Sequence, residues 1–176
     1  ITSMFNVPIH HYAIIDFKSF ESLIDILAPD GIEMDVEKNM SANIDVSLTQ
    51  GVHQLNGKEL LGYARFRMDQ EGDFGRVERQ QKVIEALKDE VLSISNSKNL
   101  PKLVGAIQGY VTTDVSSTEQ LKTVLTIAMS GGVEISKLTI PATGTYTDKN
   151  IPGVGAVLAI DQEANKQLLQ DFLQEN

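Results

Sequence analysis

Residues 55–81 read LNGKELLGYARFRMDQEGDFGRVERQQ, and they hold the clearest local signals in the chain. Asn56 and Glu59 have the spacing of a capping box, in which each side chain accepts a hydrogen bond from the other residue's backbone N–H at the start of a helix. Apolar residues continue that helix, and a polar linker over 68–74 separates it from a longer helical pattern that begins at Gly75. The segment therefore predicts two helices joined by a polar connection.

Helical and strand patterns alternate on both sides of this segment. Apolar residues three and four apart predict helices, and clustered or alternating β-branched and apolar residues predict strands. The predicted strands cover 10–16, 31–37, 133–140 and 157–160, with a possible short one at 44–48. Besides the helix that begins at the capping box, the predicted helices cover 17–27, 75–95, 100–110, 118–129 and 161–173, and the last two are capped by Ser117 and Asp161. A glycine-rich loop covers 143–155. This interleaving predicts the α/β class, as a three-layer α-β-α sandwich around a mixed sheet.

The apolar positions of these elements define a predicted core. Its expected members are Tyr12, Ile14, Phe20, Leu23, Leu61, Ile84, Leu87 and Val91. The length of 176 residues suits one domain over residues 1–176, and no repeat or linker divides it.

Composition excludes several classes of protein. No apolar run approaches the roughly 20 residues that span a bilayer. The chain has no cysteine, which rules out disulfides and thiolate metal sites. Its net charge of −9 argues against a nucleic-acid partner, which normally requires a basic surface. The opening ITSMFNVP has neither an initiator methionine nor the features of a signal peptide, which predicts a piece of a longer protein.

The arginines are concentrated in one place. All four, Arg65, Arg67, Arg76 and Arg79, lie within residues 65–79, whereas the lysines are scattered. The planar guanidinium fork matches phosphate and carboxylate in a bidentate way. Four such groups close together in an acidic chain predict an anion site.

The position of the second pair in a helix strengthens this prediction. Arg76, Arg79 and Gln80 are three and four residues apart, which places them near one face of the long helix. They lie in its first turns, where the helix dipole disfavours cations and where phosphate is a frequent ligand. Arg65 and Arg67 would point together on an extended chain and apart on a helix, and the sequence leaves both open.

A purely structural alternative accounts for the same residues. Four acidic residues share the stretch, so the arginines fit a solvated, salt-bridged surface equally well: Asp69, Glu71, Asp73 and Glu78. Asp73 also fits a simple helix cap. Each of the three histidines fits a structural role better than a metal site, since none has a carboxylate at a suitable spacing.

The motifs in this stretch resemble those of the LytR–CpsA–Psr family of bacterial cell-envelope enzymes. The family carries a leucine-and-glycine helix, an R-x-R pair matched by Arg65 and Arg67, an acidic spacer, and a G-D-F-G-R-x-x-R-Q motif matched by residues 72–80. Residues 10–37, HHYAIIDFKSFESLIDILAPDGIEMDVE, are also similar to a strand and helix of the family, although residues 29–32 replace its usual glycine pair. The resemblance covers about 70 residues.

The resemblance implies a phosphotransferase. Such enzymes take a glycopolymer, of the teichoic acid or capsular polysaccharide class, from a polyprenyl-pyrophosphate carrier and attach it to peptidoglycan in an Mg²⁺-dependent reaction. The implied phosphate-binding residues are Arg65, Arg67, Arg76, Arg79 and Gln80, and the implied catalytic residues are Arg65, Arg67, Asp73 and Arg76. Asp73 would orient Arg76 or assist the attacking hydroxyl.

The resemblance also implies features outside this chain. In the family, a preceding segment carries metal-binding acidic residues and a membrane anchor, so the metal ligands are unknown here and the protein is expected outside the cytoplasmic membrane. The fragment alone is expected to have little activity. Two alternatives are a non-catalytic module that binds polyprenyl phosphate or envelope polymer, and a transcriptional regulator, as the family's older naming suggests.

Overall fold

The computed structural model describes residues 2–96, 100–130 and 134–175, which form two compact units. The larger unit spans His11–Glu134, and the smaller one combines the residues up to His10 with those from Ile135 onward. One domain over residues 1–176 stays a prediction.

The described residues contain seven helices and six strands, interspersed along the chain. In chain order these are α1 Thr2–Phe5, β1 Ala13–Ile14, α2 Phe17–Leu27, β2 Ile32–Val36, β3 Gly51–Leu55, α3 Gly57–Arg65, α4 Gly72–Asn96, α5 Leu100–Tyr110, β4 Thr112–Thr113, α6 Ser117–Ser130, β5 Tyr146–Ile151, β6 Gly155–Ile160 and α7 Gln162–Glu175. The predicted α/β class is confirmed. No helix in the described ranges is both long and apolar enough to cross a membrane.

The strands pair differently from the predicted single mixed sheet. Among the described residues they form three two-stranded antiparallel sheets, β1–β4, β2–β3 and β5–β6. Antiparallel pairs can leave one face in water, whereas parallel strands need cover on both faces. The half-buried alternation of β2 suits the first arrangement, since Glu33 and Asp35 point to solvent between buried apolar residues.

Several parts of the strand prediction were wrong. Residues 134–140 form no strand, while residue 133 lies outside the described residues. The strand predicted over 10–16 is limited to β1. β3, β4 and β5 were not predicted: β4 has only two residues, β3 buries only Leu55, and β5 buries no residue, so none has a clear apolar alternation. A bridge between Met40 and Leu48 replaces the possible strand at 44–48.

The core of the larger unit lies between α2, α3, α4 and the β2–β3 pair. Its most enclosed apolar side chains include Ile24, Val36, Leu60 and Tyr63. A second cluster joins α2 with α5 and α6 through Leu27, Leu103, Ala106 and Val124.

The predicted core was partly wrong. Leu61 is buried, and Phe20, Leu23, Leu87 and Val91 are half-buried, but Tyr12, Ile14 and Ile84 are exposed. β1 pairs over only two residues, so little covers its side chains. In α4 the apolar side chain that is buried is Val83, whereas its neighbour Ile84 lies on the exposed side of the helix.

The smaller unit is organised around one fully buried amide. Asn165 of α7 accepts a hydrogen bond from the Ala142 N–H at 2.9 Å and donates to the Asp161 carbonyl at 2.7 Å. Its amide also bonds the Thr145 hydroxyl, with the Nδ2–Oγ1 distance 2.8 Å. Asp161 caps α7 by accepting from the Ala164 N–H at 3.0 Å, which confirms the predicted cap.

The predicted capping box at the start of α3 is confirmed, and it brings α3 close to α2. Asn56 Oδ1 accepts from the Glu59 N–H at 3.0 Å, and Glu59 Oε2 accepts from the Asn56 N–H at 3.0 Å. At Gly57 the two helices are in backbone contact, since a Cβ there would lie 2.2 Å from the Glu21 carbonyl oxygen. Only glycine permits this approach.

Replacing that glycine tests the packing of α2 on α3. We expect Gly57→Ala to lower the free energy of unfolding by about 1–3 kcal/mol, the usual cost of overpacking, because the contact is with backbone that cannot rotate away. Urea unfolding measures the change. The matched control is Gly105→Ala in α5, where a Cβ would meet no atom within 4 Å; there we expect a gain of roughly 0.5–1 kcal/mol. Equal effects at the two sites would contradict the close-approach explanation.

Candidate anion-binding site

The backbone between α3 and α4 places the first arginine pair together. α3 ends at Arg65, and its C-cap Phe66 is extended, with φ −61° and ψ 132°. Side chains on either side of an extended residue point to the same face. Arg65 and Arg67 accordingly line the same cavity. The structure thus decides the alternative that the sequence left open.

The first turns of α4 supply the second half of the site. The helix begins at Gly72, where Asp69 Oδ1 accepts a hydrogen bond from the Gly72 N–H at 3.1 Å. Arg76 and Gln80, four residues apart on α4, line the same cavity as the first pair. Asp73 pairs with Arg76 at 3.3 Å and lies 4.0 Å from Arg67.

The cavity has a volume of about 380 Å³ and a positive lining. Its residues are Phe17, Ala42, Asn43, Arg65, Arg67, Arg76 and Gln80. Of the five residues that the sequence analysis assigns to one anion site, three arginines and Gln80 line this cavity. Their roles toward a ligand stay a prediction.

The guanidinium groups of this cavity are held but not fully satisfied. Arg65 lies over the Phe17 ring, with its Cζ 4.4 Å from the ring centre. In the part of the chain that the structure describes, the buried Nε of Arg76 has no hydrogen-bond acceptor. Buried donors in folded proteins are normally paired, so an unpaired one on an arginine that lines a positive cavity favours an anionic ligand.

Arg79 does not belong to this cavity, which corrects its predicted role as a phosphate ligand. Its side chain is 1% exposed, and its Nη1 lies 2.9 Å from Glu37 Oε1 and 3.1 Å from Asp69 Oδ2. Successive helical residues are separated by about 100° around the axis. Gln80 therefore lies about 40° to one side of Arg76 and Arg79 about 60° to the other, which is enough to direct Arg79 into the core.

The buried ion pairs change the ionisation of their members. Burial favours a neutral Glu37, but hydrogen bonds from its backbone, Arg79 and the Tyr63 hydroxyl outweigh it, so the pKa of Glu37 lies below its usual 4.5. Burial likewise opposes the charge of Asp69, yet Lys38 and Arg79 lower its pKa from the usual 3.8. Burial and the hydrogen bond to Glu37 raise the pKa of Tyr63.

Sequence reasoning missed several residues of this region. Phe17, Ala42 and Asn43 line the cavity, and Glu37 and Lys38 belong to the ion-pair network. Asn43 has a left-handed backbone conformation, with φ 58°. In the sequence, only its position in a polar loop indicated this. Phe17 directly follows the helix cap Asp16 and is exposed, which is an unusual place for a core aromatic. The other three carry no local signal.

Comparison with known proteins identifies the family. The LytR_cpsA_psr family model matches residues 1–171, which includes both compact units. The chain belongs to the LytR_cpsA_psr family. The expected family resemblance is therefore confirmed over nearly the whole chain.

Curated relatives in the family include both a regulator and a transferase by name. The regulatory protein MsrR of Staphylococcus aureus is 47% identical over 166 residues, which are 94% of this chain and 51% of MsrR. The polyisoprenyl-teichoic acid–peptidoglycan teichoic acid transferase TagV of Bacillus subtilis is 29% identical over 98% of this chain and 46% of its own length. The crystal structure of B. subtilis TagV matches with a TM-score of 0.71 and 26% identity, over 98% of this chain and 67% of that one. The chain thus spans about half the length of the curated relatives it matches.

Acid titration tests the buried ion pairs. The pKa values of Glu37 and Asp69 are lower in the folded state, so their stabilisation is fully present above the ordinary values of 4.5 and 3.8 and is lost as the pH falls through the lowered ones. We expect the free energy of unfolding to fall below pH about 4.5, and Glu37→Gln to be less stable at neutral pH but less sensitive to acid.

Urea unfolding between pH 7 and pH 2.5 measures this difference. Glu33→Gln, which changes an exposed carboxylate of β2, serves as the control and should run parallel to the unsubstituted chain. If Glu37→Gln also runs parallel, Glu37 does not contribute to the pH dependence.

Proposed function

We propose that this chain forms the phosphate-binding part of a phosphotransferase that attaches a glycopolymer to peptidoglycan. The donor would be a glycopolymer of the teichoic acid or capsular polysaccharide class on a polyprenyl-pyrophosphate carrier. Membership of the LytR_cpsA_psr family and the relation to TagV, a teichoic acid transferase by name, support this proposal.

One observation carries the proposal. Arg65, Arg67 and Arg76 meet in one cavity with Gln80, and a buried N–H of Arg76 has no acceptor among the described residues. A pyrophosphate offers several charged oxygens within a few ångströms, which matches three guanidinium groups better than one carboxylate does. We assign the three arginines and Gln80 to the phosphate oxygens, and Asp73 to orienting Arg76 through their 3.3 Å contact.

The chemistry of transfer fits such a site. A hydroxyl of the acceptor sugar forms a new O–P bond at the phosphorus that bears the glycopolymer, while the anhydride P–O bond breaks, polyprenyl phosphate leaves, and the hydroxyl proton passes to solvent. Phosphoryl transfer depends mainly on positioning and on neutralising the developing charge. The three guanidinium groups would supply both, and an attacking water instead of a sugar would give hydrolysis.

Mg²⁺ dependence, extracytoplasmic location and membrane attachment remain part of the proposal for the longer protein. In the described ranges no group of three or more histidine and acidic residues is arranged to hold a metal ion. The described residues therefore do not offer the group of acidic ligands that Mg²⁺ would need.

Replacement of Arg76 separates a ligand role from a structural one. We expect Arg76→Ala to bind inorganic pyrophosphate about tenfold more weakly or worse, since a hydrogen bond to a charged group contributes about 1.5–3 kcal/mol. The melting temperature should hardly change. The exposed ion pair with Asp73 contributes about 0–1 kcal/mol, which the removal of a cation from the helix N-terminus offsets by about 0.3–1 kcal/mol.

Calorimetric titration and a thermal melt on the same preparation measure both quantities. Lys122→Ala removes a cation from the exposed side of α6, outside the cavity, and should leave the pyrophosphate affinity unchanged. A destabilised Arg76→Ala that binds pyrophosphate normally would contradict the proposed site.

Turnover distinguishes an enzyme from a binding module. In the longer protein, supplied with lipid-linked glycopolymer, peptidoglycan and Mg²⁺, we expect release of polyprenyl phosphate, and a strong loss of release in Arg76→Ala. Tight binding of the lipid-linked polymer without any release would instead favour a non-catalytic module. Release without attachment to peptidoglycan would favour hydrolysis.

A further inference from the structure

Arg79 lies outside the cavity lining, but its guanidinium contacts the segments next to the cavity. Its Nε and Nη2 both donate to the Phe66 carbonyl oxygen, at 3.3 and 3.0 Å, while Nη1 faces Glu37 and Asp69. Burying a guanidinium costs several kcal/mol unless its donors are satisfied. Here the donors are distributed over a backbone carbonyl and two carboxylates from separate segments.

The carbonyl that Arg79 binds lies between the two arginines of the first pair. The Phe66 N–H bonds the Gly62 carbonyl at 3.1 Å, its ring is 5% exposed, and the Arg79 Cζ lies 5.2 Å from the ring centre. Phe66 is thus held through its N–H, its carbonyl and its ring. Because the Phe66 carbonyl belongs to the peptide unit that leads into Arg67, holding it restricts the direction in which Arg67 leaves the backbone.

The same guanidinium also holds the loop that leads into α4. Asp69, 10% exposed, contacts Arg79 at 3.1 Å and Lys38 at 3.1 Å, and its other oxygen caps α4 at Gly72. The position of Arg76 in the first turns of α4 therefore depends on Asp69. One buried side chain contacts both segments that supply arginines to the cavity.

The glycine at position 75 leaves the space that this arrangement needs. A Cβ there would lie 2.7 Å from the Glu71 Cβ and 3.0 Å from Arg79 Nη2. Any larger residue would press on the guanidinium and on the loop together.

We infer that Arg79 is a positioning residue, which sets the geometry of Arg65, Arg67 and Arg76 through Phe66 and Asp69 without contacting the ligand itself. The inference rests on the proposed anion site for its functional meaning. Lysine cannot replace Arg79 in this role, since one ammonium group lacks the planar fork that reaches a carbonyl and two carboxylates at once.

The four arginines of the chain make the test direct. After labelling with ¹⁵N-arginine, the Nε–H spectrum contains one signal for each of the four residues, assigned by single replacements. In the absence of ligand, the Arg65 signal carries a ring-current shift from Phe17, 4.4 Å away, and so reports how Arg65 is held. We expect Arg79→Lys to move the Arg65 and Arg67 signals toward those of a free side chain.

Titration with inorganic pyrophosphate then tests the link to binding. In the unsubstituted chain the signals of Arg65, Arg67 and Arg76 should shift, whereas that of Arg79 should not. We expect Arg79→Lys to bind pyrophosphate on the order of tenfold more weakly, as the loss of residues that orient a binding group usually causes.

Two further variants separate positioning from stability. Tyr63→Phe removes the 2.9 Å hydrogen bond to Glu37 from the same network without touching Phe66, so it should lower the melting temperature and leave pyrophosphate affinity and the Arg65 signal unchanged. Asp69→Asn keeps the Arg79 guanidinium and is the variant to use if Arg79→Lys does not fold. It should also weaken the binding of pyrophosphate.

The outcomes distinguish this inference from the proposed function. Arg65 and Arg67 signals that do not move in Arg79→Lys, together with an Arg76 signal that does not move in Asp69→Asn, overturn the positioning role, and so does an Arg79 signal that shifts with pyrophosphate. If pyrophosphate moves no arginine signal in the unsubstituted chain, the proposed function fails, while the ligand-free spectra still decide the positioning role.

Discussion

The larger unit depends on the hydrogen bonds and ion pairs of one buried guanidinium. Arg79 joins the end of β2 through Glu37, the cap of α3 through the Phe66 carbonyl, and the loop before α4 through Asp69. Glu37 lies far from the other two segments in the sequence, and the guanidinium adds polar contacts to the apolar core that these elements share. Because a buried charge without its partners is costly, the three segments and Arg79 must come together in one arrangement. That arrangement places the cavity.

Arg76 and Arg79 lie near the start of α4, where the helix dipole disfavours positive charge. Neighbouring groups compensate for this in a different way for each arginine. Arg79 is neutralised inside the protein by carboxylates, whereas Arg76 has one exposed carboxylate, Asp73, and a buried N–H with no acceptor in the described residues. The chain has a net charge of −9, but its cavity is positive. One arginine is buried among carboxylates, and the other three line the cavity.

Two independent lines of reasoning lead to the same proposal. Family membership rests on similarity along residues 1–171 and says nothing of geometry. The cavity rests on geometry and would suggest an anion in any chain. Together they support the proposed phosphate-binding role of Arg65, Arg67 and Arg76. The aromatic face of Phe17 under Arg65 adds a feature that the motif alone does not contain.

The sequence by itself determined the α/β class, the bounds of α2 and α5, the capping box of α3 and the region of the anion site. These depend on side-chain spacing and hydrogen bonds between residues at most a few positions apart, which are readable locally. Only the tertiary structure decided the pairing of β3, the direction of Arg65 and Arg67, and the separation of Arg76 from Arg79. The two helical arginines are three residues apart and chemically identical, so no local rule distinguishes them. What distinguishes them is which one reaches Glu37 and Asp69, and that depends on how distant segments pack.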